Sequence, residues 1–89
     1  MDLDQVLLIE QERLKRAIVR VLERAPNRSH LKKTLVRSIC QELSISHLRG
    51  TRRDRFQKMV NRAVGDLKRT KPPRIKEYKA TNVRLKLLD

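Results

Sequence analysis

Aromatic side chains are almost missing from this sequence. Its 89 residues include one Phe (Phe56), one Tyr (Tyr78) and no Trp. The core must therefore be aliphatic, and only Tyr78 is available for the base stacking on which sequence-specific RNA recognition normally relies. Cysteine is as scarce. Cys40 stands alone, which excludes a disulfide within the chain and a cysteine zinc site, and fits a reducing compartment. His30 and His47 have no carboxylate or thiol at ligand spacing, so no metal is expected. There is no Gly-rich phosphate loop and no Ser/His/Asp constellation, so the chain does not read as an enzyme. No catalytic residue, cofactor or small-molecule substrate is expected. Apolar runs fall short of the roughly 18 residues a membrane span needs, and no signal-peptide pattern is present. These absences predict a soluble, intracellular protein of the cytoplasm, nucleoid or nucleus.

What the sequence has in excess is positive charge. Twenty-three Lys and Arg against 10 Asp and Glu give a net charge of +13. Its placement is uneven: residues 1–25 are neutral, 26–50 contribute +4 and 51–89 contribute +9. A neutral front and a basic back suggest one face for packing and another for an anionic partner. The length allows a single domain spanning 1–89, with a small core.

Residues 1–25 read as a long amphipathic helix. Leu3, Leu7, Leu14, Ile18, Val21, Leu22 and Ala25 share one stripe, and Pro26 and Asn27 end it. Val6, Leu8, Ile9 and Val19 miss the stripe and form a candidate dimerisation surface, although scattered exposed aliphatics would look the same. A second helix is expected from Ser29 as N-cap through "HLKKTLVRSICQEL", with Leu31, Leu35, Val36, Ile39, Cys40 and Leu43 facing inward. Cys40 reads there as a small buried hydrophobe rather than a nucleophile. "SISHLRG" breaks the pattern, with Ile45 and Leu48 plugging the core and Gly50 turning the chain. A third helix opens at Thr51, with Thr51 and Asp54 spaced like a capping box, and carries the cleanest stripe: Phe56, Met59, Val60, Ala63, Val64 and Leu67. Pro72 and Pro73 close it. Beyond them the period changes to two. Val83, Leu85 and Leu87 alternate with Arg84 and Lys86, "RIKEYK" is the partner strand, and Ala80, Thr81 and Asn82 form the turn.

A mainly α chain of three helices with a C-terminal β-hairpin resembles the winged helix-turn-helix fold. The resemblance rests on element order and charge and covers most of the chain. The 44–50 stretch and the first helix are both longer than is usual in that family. The resemblance implies a helix-turn-helix over 29–69, with the third helix in the major groove of DNA, and a hairpin wing over 74–88 on the adjacent backbone or minor groove.

The helical wheel supports the same assignment. Opposite the apolar stripe lie Thr51, Arg55, Lys58, Asn61, Arg62, Gly65 and Arg69, with long donors suited to phosphates or guanine and, at Gln57 and Asn61, amides suited to adenine. Gly65 costs roughly 1 kcal/mol relative to Ala in mid-helix, and on this face would let a backbone or phosphate approach closely. Arg55, Gln57, Lys58, Asn61 and Arg62 are thus expected to face the groove, and Arg52, Arg53 and Arg69 to hold phosphates. Lys76, Lys79, Thr81, Asn82 and Arg84 are expected to make wing contacts. The expected function is that of a small basic protein binding double-stranded DNA, a transcriptional regulator or DNA-organising factor, with a homodimer as a further expectation. Two other readings stay open: a winged-helix adaptor that docks an acidic protein or self-assembles, and a binder of structured RNA.

Overall fold

The computed structural model describes residues 11–45 and 48–88. Among them are three α-helices and a three-stranded antiparallel sheet. In chain order these are α1 (Gln11–Arg24), β1 (Ser29–Leu31), α2 (Leu35–Glu42), α3 (Thr51–Arg69), β2 (Ile75–Lys79) and β3 (Val83–Leu87), with short 3-10 turns on either side of β1. The strand order is β1-β3-β2, so the central strand is the last in sequence. No helix among the described residues is long and apolar enough to cross a membrane.

Each helix buries its apolar stripe. Leu14, Ile18 and Leu22 of α1, Leu35 and Ile39 of α2, and Phe56, Val60, Ala63 and Leu67 of α3 meet Ile75, Leu85 and Leu87 of the sheet in one aliphatic core, with Phe56 as the only ring among the described core residues. Ile45 and Leu48 are buried at the edge of this core, and Cys40, Leu43 and Met59 pack against it. Burial pushes the Cys40 thiol above its ordinary range, against the opposing pull of the Arg53 charge, so the thiol is a packing group rather than an activated nucleophile.

Several expectations need correction. The second helix does not begin at Ser29. Pro26 stops α1, Asn27 and Arg28 turn through the left-handed region, and Ser29–Leu31 pairs with β3, with Ser29 opposite Lys86 and Leu31 opposite Arg84. Leu31 therefore belongs to a strand, and α2 is only 8 residues long. The i, i+4 spacing of Leu31 and Leu35 imitates a helix turn. The strand wins because its backbone groups find partners on β3, which lies far away in sequence. Val19, expected on an outer surface, is 8% exposed and belongs to the core. Val6, Leu8 and Ile9, like Leu3, Leu7 and His47, lie outside the described residues.

Nor does a capping box open α3. Gly50 occupies the N-cap position without a side-chain cap, at φ 63° and ψ −138°, a region that glycine enters far more readily than other residues. At the other end of α3 the Thr70 hydroxyl donates to the Leu67 carbonyl at 2.9 Å and accepts from the Arg74 amide at 3.1 Å. The Arg74 amide also reaches the Leu67 carbonyl, at 3.1 Å, and the Leu88 amide reaches the Arg74 carbonyl, at 2.9 Å. This corner fixes the hairpin's direction relative to α3.

Candidate nucleic-acid interface

The cations of α3 separate into those with partners and those without. Near its C-terminus Lys68 lies 3.5 Å from Glu77, and Arg69 lies 3.5 Å from Asp66 while donating to the Gly65 carbonyl at 3.1 Å. Arg52, Arg53, Arg55, Lys58 and Arg62 form no ion pair with any described residue. All five are exposed. Arg55, Lys58 and Arg62, at i, i+3 and i+7, make one continuous outward row. Asp54, in the first turn, sits where a carboxylate stabilises the positive end of the helix dipole. Arg53 departs from the expected face, because it lines the cleft between α2 and α3 together with Arg37, Cys40 and Leu48. Arg69 is also diverted. Its guanidinium folds back over Gly65 and would lie 2.9 Å from a β-carbon placed there, so what covers Gly65 is a movable side chain.

Gln57 and Asn61 form a second row, one helical turn apart, with the Gln57 amide donating to the Asn61 side-chain oxygen at 3.0 Å. They line a groove whose other walls are Lys32 and Lys33, from the turn between β1 and α2, and Asn82 and Val83, at the hairpin tip. The tertiary structure thus brings three separate segments to one concave surface beside the Arg55/Lys58/Arg62 row. Lys32 and Lys33 were missed by the sequence reading. The "KK" pair was visible, but as part of an expected helix it pointed nowhere in particular.

Glu77 limits the charge at this groove. Its carboxylate accepts from Lys32 at 2.8 Å and faces Lys68. The Lys32 hydrogen bond, reinforced by the charges of Lys32 and Lys68, holds the Glu77 carboxyl below the ordinary carboxylate range despite an opposing desolvation penalty. Lys33 has no such partner among the described residues.

The expected wing residues divide between two faces. Side chains alternate along a strand, and Ile75 is buried in the core, so Glu77 and Lys79 project on its side, toward α3. Lys79 therefore remains on the side of α3, Asn82 at the tip lines the groove with Gln57 and Asn61, and Thr81 is exposed at the turn. Lys76 and Arg84 do not, because they project from the opposite, outer face of the sheet. Arg84 is engaged there: its Nε donates to the Ser29 hydroxyl at 2.9 Å and its Nη2 to the Ser29 carbonyl at 3.4 Å. The Ser29 hydroxyl shares a 2.7 Å hydrogen bond with the Tyr78 hydroxyl, and that bond, followed by the one from Arg84, holds the Tyr78 phenol below its ordinary range. His30 projects inward, with Nδ1 donating to the Leu31 carbonyl at 2.8 Å and Nε2 paired to the Ser38 hydroxyl at 2.9 Å, which ties β1 to α2.

No protein-family model, curated protein or solved structure matches this chain.

Proposed function

We propose that this chain binds double-stranded DNA, as a small transcriptional regulator or DNA-organising factor of the winged helix-turn-helix kind. The carrying observation is the row of cations on α3, Arg55, Lys58 and Arg62, which form no ion pair among the described residues and stand beside a groove lined by the Gln57 and Asn61 amides. A folded domain ordinarily disperses like charge or supplies carboxylates to it, whereas a duplex supplies phosphates at regular spacing. In this reading α3 enters the major groove, with Gln57 and Asn61 reading base edges and Arg55, Lys58 and Arg62 reaching phosphates or guanine. Lys33 and Lys79 hold the flanking backbone, and Thr81 and Asn82 approach it from the hairpin tip. The element order, with β1 completing the sheet behind the hairpin, is compatible with the winged-helix resemblance.

The test is a titration of a duplex of about 20 base pairs, of random and of selected sequence, over a range of salt concentrations. About five neutralised phosphates would give a log–log slope near −4.5. The same titration with folded RNA measures preference. A slope close to zero, or RNA bound more tightly than any duplex, would refute the proposal.

A further inference from the structure

We infer that the outer face of the sheet is a second nucleic-acid surface, taking a single-stranded segment by stacking a base on Tyr78 and holding its phosphates with Lys76 and Lys86. The inference concerns the side of the sheet turned away from α3 and stands independently of the duplex proposal.

Strand register defines this face. Lys76 and Tyr78 of β2, Arg84 and Lys86 of β3, and Ser29 and Leu31 of β1 share it, since Ile75, Leu85 and Leu87 point into the core. These six residues include three cations and no carboxylate. Lys76 and Lys86 are direct cross-strand partners. Like charges placed opposite each other destabilise a sheet, and neither lysine has an ion-pair partner among the described residues. A bound phosphate backbone would relieve that repulsion.

The placement of Tyr78 makes a single strand the fitting partner. Its hydroxyl reaches Ser29, although β3 lies between β2 and β1. At about 4.8 Å per strand the two backbones are nearly 10 Å apart. Ser29 is also offset along the sheet, pairing with Lys86 while Tyr78 pairs with Arg84. The phenol can span this diagonal only when extended across β3, with its ring lying along the sheet between Arg84 and Lys86. The Ser29 bond holds the ring in place before any ligand arrives. A partly exposed ring held across the sheet between cations has no use for duplex bases, which already stack on one another, but suits an unpaired base whose π-face is open.

Tyr78 also supplies the readout. The chain has one Tyr and no Trp, so its tyrosine emission reports this residue alone. An oligothymidylate of about twelve nucleotides is titrated into the full chain, with and without saturating duplex. Tyrosine emission should fall by about half or more on binding, through stacking. Affinity should change by less than about threefold when duplex is present, because the two faces are separate. Lys76→Ala with Lys86→Ala should weaken oligothymidylate at least tenfold and reduce the magnitude of its log-salt slope by about 1.4, leaving duplex binding within about twofold. By anisotropy of labelled oligothymidylate, Tyr78→Leu should weaken binding about fivefold or more and Tyr78→Phe, which keeps the ring, by less than about threefold. The inference is overturned if oligothymidylate fails to bind, binds without changing tyrosine emission, is displaced by duplex, or ignores the double lysine substitution. Quenching by oligothymidylate in a chain that binds no duplex would support this surface and refute the duplex proposal.

Discussion

The first and third helices are alike in composition and differ in how far the fold pairs their cations. Among the described residues Lys15, Arg20 and Arg24 of α1 have carboxylate partners and Arg13 and Arg16 do not, whereas on α3 only Lys68 and Arg69 have them. Both helices are amphipathic, both bury an aliphatic stripe in the same core, and both carry several cations. On α1, Lys15 lies 3.1 Å from Glu12 and 3.7 Å from Asp66, and Arg20 and Arg24 converge on Glu42, a side chain only 10% exposed. These pairs fasten α1 to α3 and to α2. On the outward face of α3, Arg55, Lys58 and Arg62 receive no such partner among the described residues. The difference teaches that cation density alone does not mark a polyanion surface. What distinguishes such a surface is whether the fold has already supplied the counter-charge.

The strongest challenge to the comparison goes through the core, where the two helices should be equals. Leu22→Ala on α1 and Leu67→Ala on α3 each remove a side chain that is at most 2% exposed. Each is expected to cost about 2–5 kcal/mol in urea unfolding. A loss below about 1 kcal/mol at either site would mean that the helix is not packed as described. On the outside the helices should part company. Lys58→Ala with Arg62→Ala is expected to weaken duplex binding at least tenfold and reduce the magnitude of the salt slope by about 1.8, with thermal stability nearly unchanged. Unchanged binding would remove α3 from the interface.

The counterpart on α1, Arg20→Ala with Arg24→Ala, should show the reverse. Stability is expected to fall by about 0.5–1 kcal/mol as Glu42 loses its partners, while duplex affinity changes less than about twofold. A larger loss of binding than of stability would erase the distinction between the helices. The smallest effect is expected at Glu77. Glu77→Gln releases Lys32 and Lys68 and should tighten duplex binding by roughly two- to fivefold. Because the folded-state pKa of Glu77 is lowered, its stabilisation is present above the ordinary carboxylate range and lost as pH falls through the folded value. The wild-type advantage over Glu77→Gln in stability should accordingly shrink on acidification, as thermal melts across that range would show. A constant gap would mean that the Lys32 contact does not stabilise the fold.

How much of this could be read from the sequence depends on the range of the interaction that decides each feature. The α3 stripe was legible because Phe56, Val60, Ala63 and Leu67 repeat at the helical period. The hairpin was legible because Val83, Leu85 and Leu87 alternate. The outward row Arg55, Lys58 and Arg62 followed from the same wheel. Strand β1 was not legible, because three residues beside a helical pattern carry no period of their own and their hydrogen-bond partners lie on β3. The hairpin cations Lys76, Lys79 and Arg84 were all assigned to one surface, since alternation says that Lys76 and Lys79 differ in face without saying which face meets α3.

By itself, then, the sequence determined the helical and alternating segments, the aliphatic character of the core and the concentration of positive charge beyond residue 25. These are properties of local period and composition. Only the tertiary structure decided that Val19 is core, that Lys32 and Lys33 join Gln57 and Asn61 at one groove, and that Arg69 and Arg84 are held by their own chain. It also decided that Lys76, Tyr78, Arg84 and Lys86 form a separate face. Each of these depends on which distant backbone or carboxylate a side chain meets, and long-range pairing fixes that only once the whole chain has folded.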